Sequence, residues 1–527
     1  MKPISEKDTQ RLMSFYQQGN YKSAVEESKK LIINYPKELI LHNILGVCLE
    51  RQGMFQPAAE AYKEALKINP AVPELQFNLG AMLYALNRWD DAIIHYKKAI
   101  DINPNFTEAF FNMGITYQSQ ALFEKAIESY DNALKLQPGF YEAIGNIGTI
   151  KQLQGDLDNA IKYFEKALNI NEDGRGHYNL AGALRNHGSL SIAIVHYKKA
   201  IELSTNEPEF YSDLGDALWH DGQIKEANKF LRLAVKVSPS HLRANYQLAI
   251  FLYDNKMFEE AIKYFEASQF QDWEERTLYC LYKLENFNQF EARLKKAVTH
   301  KNSSPFLATL STHYSQNMKI KDTYNFCPNP LDFICHEKVP ELTDKNSKLL
   351  YDLINDINTC KIGERKQKRL SYGVQSAGNL FKRPEKSFKS LEIALSKLIK
   401  SYFLKFKGVP CEFINSFPKE VEFSSSWFVK MQAGGHLSSH IHEDGWISGA
   451  VYLSIPQNIN QQNEGGIELS TDGDEYPRMH DDFPRKILLP EVGDVIFFPS
   501  SVFHRTIPFD SDEERICIAF DLKPGPM

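Results

Sequence analysis

The pattern of small, bulky and polar positions repeats every 34 residues from about residue 5 to residue 269. A small residue, preceded each time by an aliphatic side chain or Met113, recurs at Gly46, Gly80, Gly114, Gly148, Ala181, Gly215 and Ala249. Twelve positions later stands an alanine: Ala58, Ala92, Ala126, Ala160, Ala193, Ala227 and Ala261. Also in phase are Ala65, Ala99, Ala133, Ala167, Ala200 and Ala234, the aromatic residues Tyr62, Tyr96, Tyr130, Phe164 and Tyr197, and Pro36, Pro70, Pro104, Pro138 and Pro239. Small side chains at fixed places let two short helices approach closely, bulky ones fill the space between them, and proline ends the second helix. The pattern predicts an all-α solenoid of about eight helix-turn-helix units over 1–269.

The phase is lost over 270–333, which reads as a linker with short helices at Leu278 to Ala297 and Pro305 to Ser315. Its last part, Asn325 to Phe333, contains Pro328 and Pro330, which bar regular helix and favour an extended crossing segment. From 334 the texture changes again. Helical pattern persists near 341–357 and 386–406, then short apolar-alternating runs follow at 426–431, 449–454, 466–469, 486–489, 494–498 and 515–520. Short strands punctuated by Gly and Pro predict a mainly-β domain over 334–527, a jelly roll with flanking helices.

At 527 residues the chain is too long for one core. The 61 basic and 67 acidic residues give a net charge of -6, so no global field draws it to nucleic acid or to an anionic membrane. No signal-like segment opens the sequence and no apolar run is long enough to span a bilayer, which sets the expectation of a soluble, cytoplasmic protein. Seven cysteines, an odd number without a CxxC pair, argue against a disulfide framework or a structural zinc site.

The chemistry concentrates between His440 and Arg515. In an extended strand alternate side chains share a face, so His440 and His442 point the same way, as does Asp444 if the strand continues. His504 follows 60 to 64 residues later, delivered by a loop after the strand at 494–498. A mononuclear non-haem iron(II) centre takes two histidines and a carboxylate on one face and leaves positions open for a co-substrate and dioxygen. His442, Asp444 and His504 supply that set and are the favoured ligands, while His440, His442 and His504 supply three histidines without a carboxylate, so His440 stands as the alternative to Asp444. Arg515, eleven residues beyond His504, offers the planar fork that the free carboxylate of an iron-chelating keto acid requires. Any one of the fifteen histidines taken singly is more often exposed or a satisfied core residue, and Arg515 beside Glu513 and Glu514 reads equally well as a surface group. It is the combination that points to a metal centre. Trp446 and Tyr452 fit core packing better than a pocket.

The repeat spacing and markers resemble the tetratricopeptide repeat. Residues 335 to 527 resemble the 2-oxoglutarate/iron(II)-dependent oxygenase family found behind such repeats, through His440-Ile441-His442, Gly445 to Leu453, Gly465-Gly466-Ile467, Gly493 to Ser500, His504 to Phe509 and Glu514-Arg515. Phe326 to Asp332 and Gln375 to Phe381 are similar to that architecture too. The resemblance implies a double-stranded β-helix, iron(II) as metal, 2-oxoglutarate as co-substrate bound by Arg515, no catalytic side chain beyond the metal ligands, and a peptide or protein partner on the concave face of the repeats. His442-x-Asp444 looks like the His-x-Asp motif of prolyl-hydroxylase-like members. Two alternatives stand beside it. One is a cupin-type metal enzyme, because Gly434 and His440-x-His442 are also similar to a cupin motif that lacks its glutamate here. The other is a repeat scaffold carrying a catalytically silent oxygenase fold.

Overall fold

Glycine and aromatic markers of the repeats meet each other across paired helices. The pairs include Leu39–Glu50 with Phe55–Ile68, Pro73–Ala85 with Trp89–Ile102, Thr107–Ser119 with Phe123–Leu136 and Tyr141–Leu153 with Leu157–Ile170. A Cβ on Gly46 would stand 2.6 Å from the Tyr62 ring, on Gly80 2.7 Å from Tyr96, on Gly114 2.5 Å from Tyr130 and on Gly148 2.9 Å from Phe164. The missing side chain of the first helix is therefore the space that the ring of the second helix fills. The buried tyrosines keep their hydroxyls satisfied at the helix ends: Tyr130 donates to Gln118 at 2.8 Å and Tyr62 to Glu50 at 3.2 Å. The in-phase alanines at 58, 92, 126, 160, 193 and 227 are fully buried.

The structure is a computed structural model and describes the chain apart from residues 1–3, 301–302, 345, 361, 363, 366–368, 419, 444, 458–461 and 524–527. Two compact units are present, Met1–Gln247 and Leu248–Met527. The first is the tetratricopeptide repeat array up to the helix Leu242–Asp254, within which the division falls. The second unit opens with the rest of that helix and with Phe258–Ser268, followed by Trp273–Lys283, Phe287–His300 and Pro305–Asn317.

These last three helices lie in the segment that the loss of repeat phase marks as a linker, yet they form a packed layer of the second unit. Pro305–Asn317 buries Phe306, Leu307, Leu310, His313 and Tyr314. Thr309 Oγ1 donates to the Ser501 carbonyl at 2.9 Å and Asn317 Nδ2 to the Pro477 carbonyl at 2.9 Å. Irregular backbone begins after Asn317 and includes the two-proline segment, of which only Pro330–Phe333 makes a 3-10 turn.

Among the described residues ten strands follow: β1 (Cys335–Lys338), β2 (Glu364–Arg365), β3 (Leu370–Ser376), β4 (Glu422–Leu437), β5 (Ile447–Ser454), β6 (Ile467–Ser470), β7 (Arg485–Leu488), β8 (Asp494–Pro499), β9 (Phe503–Thr506) and β10 (Arg515–Lys523). One antiparallel sheet runs β1-β8-β5-β10-β4-β3-β2 and a smaller one β7-β6-β9, the two-sheet arrangement of a jelly roll. Val429, Met431, Tyr452, Leu469, Ile496, Phe498 and Val502, drawn from both sheets and the β8–β9 turn, form the core. Helices Lys348–Thr359 and Lys386–Phe406 flank the strands. All seven cysteines are free, and no described helix is long and apolar enough to cross a membrane.

Candidate active site

His440, His442 and His504 converge at one end of the jelly-roll core, with one ligating atom of each within 4.8 Å of the others. Strand β4 ends at Leu437, so the shared face of a continuing strand is not what aligns the first two. His440 instead makes an isolated antiparallel bridge to His504, each amide donating to the other's carbonyl at 3.1 and 2.9 Å. His442 is pinned through its amide to the Ser500 carbonyl at 3.3 Å. His504 itself stands in strand β9, paired with Leu469 of β6, where a loop was expected.

Each imidazole has an oxygen acceptor beside Nδ1: the Ser438 carbonyl at 2.8 Å for His440, Asp521 Oδ1 at 2.5 Å for His442 and the Val502 carbonyl at 3.3 Å for His504. Proton donation from Nδ1 leaves Nε2 as the free lone pair on all three rings, the arrangement that orients metal-binding histidines. Nε2 of His440 and Nε2 of His442 are 3.3 Å apart. Two nitrogens bound to one ion at about 2.1 Å sit about 3.0 Å apart at octahedral angles and about 3.4 Å apart at tetrahedral ones, so this spacing suits a shared ion.

The electrostatics favour the same use. Burial, with the neighbouring His442, lowers the His440 pKa to about 3, and burial with both neighbouring histidines holds His504 well below the ordinary imidazole value. Both rings are therefore neutral at physiological pH, the form in which an imidazole can bind a metal. Burial alone would raise the Asp521 carboxyl, but His442 and the hydroxyls of Ser448 and Ser425 overcome it and hold the group below the usual range, as a carboxylate. Ser448 in turn contacts Ser500 at 2.8 Å, so the acceptor is fixed by its own partners. Among the described residues no carboxylate oxygen joins the three histidines, and Asp444 lies outside those residues.

Arg515 is 2% exposed, not a surface neighbour of Glu513 and Glu514. Its Nε donates to the Gly465 carbonyl at 3.2 Å, Nη1 lies 3.8 Å from the sulfurs of Met431 and Cys517, and the guanidinium sits 5.1 Å from the centre of the Tyr452 ring. No carboxylate pairs with it among the described residues, and the fully buried Tyr452 hydroxyl makes no hydrogen bond there either. A dry cation and an idle hydroxyl are costly unless a ligand completes them. Both line the internal cavity that His440, His442 and His504 also line, so the chain's residues fit a keto diacid held between a metal and Arg515.

A second, open cleft reaches the histidines from outside, lined by Arg369, Gln375, Ser425, Trp427 and Asp521. Trp427, His440 and His442 belong to both spaces. Sequence reasoning missed Asp521, although strict alternation along β10 places Arg515, Cys517, Ala519 and Asp521 on one face. Trp446 is a core residue as expected, its indole donating to the Phe413 carbonyl at 3.2 Å. Tyr452 is a core residue as expected and also lines the cavity.

Comparisons with known proteins agree with this architecture. The family model described as "Putative 2OG-Fe(II) oxygenase" matches residues 425–521, and tetratricopeptide repeat models match 10–73, 80–120, 107–140, 141–173 and 212–275. None of the curated proteins matches the chain. Among solved structures, MamA is similar over 32% of this chain and 97% of its own, at 27% identity and a TM-score of 0.30. A tetratricopeptide repeat protein from Parabacteroides merdae ATCC 43184 is similar over 47% and 98%, at 19% identity and a TM-score of 0.41. YrrB, described as a TPR protein with an unusual peptide-binding site, is similar over 35% and 96%, at 21% identity and a TM-score of 0.29. The chain thus carries tetratricopeptide repeats within 10–173 and 212–275 and, at 425–521, a C-terminal stretch that matches the family described as "Putative 2OG-Fe(II) oxygenase".

Proposed function

We propose that the second unit is an iron(II)- and 2-oxoglutarate-dependent dioxygenase that hydroxylates its substrate, with His440, His442 and His504 holding the metal and Arg515 holding the distal carboxylate of the keto acid. The observation that carries this reading is the pairing, in one cavity, of three free Nε2 atoms with a buried guanidinium that meets no carboxylate among the described residues. Bound iron(II) would supply the redox chemistry that couples oxidation of the keto acid by dioxygen to hydroxylation. The protein's part is positional. Asp521 and the carbonyls of Ser438 and Val502 hold the imidazoles in the ligating tautomer, Arg515 and the Tyr452 hydroxyl receive the carboxylate, and the core side chains keep water out. The open cleft takes the primary substrate. A protein or peptide docked on the concave face of the repeats would supply it.

The set of His442, Asp444 and His504 is the rival ligand assignment, and iron occupancy separates the two. His440→Ala should lose iron and Asp444→Ala should keep it, and the reverse result would reinstate the carboxylate. The function is tested by succinate release from 2-oxoglutarate by the full chain with iron(II) and ascorbate. Arg515→Ala should retain iron while its affinity for 2-oxoglutarate falls at least about thirtyfold, the loss of about 2 kcal/mol or more expected when a buried charge partner is removed. No turnover, together with no metal after anaerobic reconstitution, would leave the scaffold reading in its place.

A further inference from the structure

Both segments that carry the metal-site histidines are gripped from the helical layer of the second unit. On one side Arg276, in the helix Trp273–Lys283, donates from Nη2 to Glu443 Oε2 at 2.8 Å, and Glu443 is the residue after His442. Arg276 is itself held: its guanidinium lies 5.2 Å from the centre of the Tyr253 ring and 5.8 Å from that of Phe306, and Nε is 2.9 Å from Asp272 Oδ2. On the other side Thr309, in the wholly packed helix Pro305–Asn317, donates to the carbonyl of Ser501 at 2.9 Å. Ser501 precedes Val502, whose carbonyl faces His504 Nδ1. The two grips bear on the segments at 440–443 and 500–504, whose mutual hydrogen bonds, His440 with His504 and His442 with Ser500, set the spacing of the ligating atoms.

We infer that the helical layer is a working part of the metal centre, with Arg276 and Thr309 acting as positioning residues that keep the His442 and His504 segments at ligating distance. A hydrogen bond from a packed helix to a turn removes freedom that the turn would otherwise have to lose when metal binds, so its deletion lowers affinity without touching a ligand. The chain offers an internal control. Lys256, in the turn before the helix Phe258–Ser268, makes a more exposed ion pair with Glu475 at 2.9 Å, on a loop that carries none of the three histidines. The inference rests on the metal assignment above for its consequence, but the grip itself can be measured without metal.

The experiment uses the full chain as Arg276→Ala, Arg276→Lys, Thr309→Val, Glu443→Gln and Lys256→Ala. Hydrogen–deuterium exchange of the metal-free proteins should show faster exchange across 438–446 in Arg276→Ala and across 498–504 in Thr309→Val, and neither in Lys256→Ala. Titration with cobalt(II), followed by its visible absorption, should then show affinities weakened about three- to tenfold in Arg276→Ala and Thr309→Val, less than the loss expected for a direct histidine partner. Arg276→Lys should restore part of the affinity, and Arg276→Ala combined with Glu443→Gln should be no worse than either alone. Unchanged exchange in 438–446 and 498–504 would overturn the inference whatever the metal does. Altered exchange with no cobalt(II) bound by the unmodified chain would instead overturn the metal reading and leave the grip in place.

Discussion

At the scale of single residues, the carboxylate of Asp521 decides what His442 can be. Accepting from Nδ1 at 2.5 Å, it fixes the ring's tautomer and makes Nε2 a better ligand. Asp521→Asn should therefore lower cobalt(II) or iron(II) affinity about 10- to 100-fold with the fold intact by circular dichroism. This residue was legible: from Arg515, counting by twos reaches it. The alignment of His440 with His442 was not, because it comes from a bridge to His504, a partner 64 positions away, and not from the strand periodicity that the local sequence suggests. A histidine in the repeats makes a different point. Burial, with Lys98 nearby, lowers the His95 pKa to about 4, while its ring contacts Gln76 at 2.7 Å. Between the ordinary value near 6.5 and about 4 the unfolded chain binds a proton that the folded chain refuses. Stability is thus full above this window and falls as pH drops through it. The urea midpoint of His95→Gln should decline less than that of the parent chain between about pH 7 and about pH 4.5.

At the scale of elements, the repeats were readable to the residue because their markers touch within one unit. Two glycines of the helix Tyr141–Leu153 separate packing from composition: a Cβ on Gly148 meets the Phe164 ring at 2.9 Å, whereas one on Gly145 meets nothing within 4 Å. Gly145→Ala should stabilise the array by about 0.5–1 kcal/mol through backbone entropy, and Gly148→Val should destabilise it by about 1–3 kcal/mol through overpacking, both read from thermal melts. The strands were read less completely. β4, β5, β6, β7, β8 and β10 coincide with apolar-alternating runs, but β3 does not. Its alternation is broken where Tyr372 takes a φ of 49° and the register with β4 slips between Ser371 and Gly373. β9 is four residues long with Phe503 as its single apolar residue, too short for a period-two signal, so the local sequence reads His504 as part of a loop.

At the scale of the whole molecule, the segment 270–333 lost its repeat phase without losing its structural duty. Periodicity reports similarity between neighbouring units, and a helix such as Pro305–Asn317 that packs against strands has no reason to keep it. A fragment of residues 334–527 should consequently be poorly folded, with exposed apolar surface and rapid proteolysis, whereas one starting at Leu248 should give a cooperative melt. The buried Arg515 has a consequence for turnover. On the proposed chemistry, 2-oxoglutarate and the succinate left after its decarboxylation share the carboxylate that this arginine grips, so Arg515 cannot tell substrate from product. Discrimination falls to the keto end, and succinate should compete with 2-oxoglutarate and slow the enzyme as it accumulates.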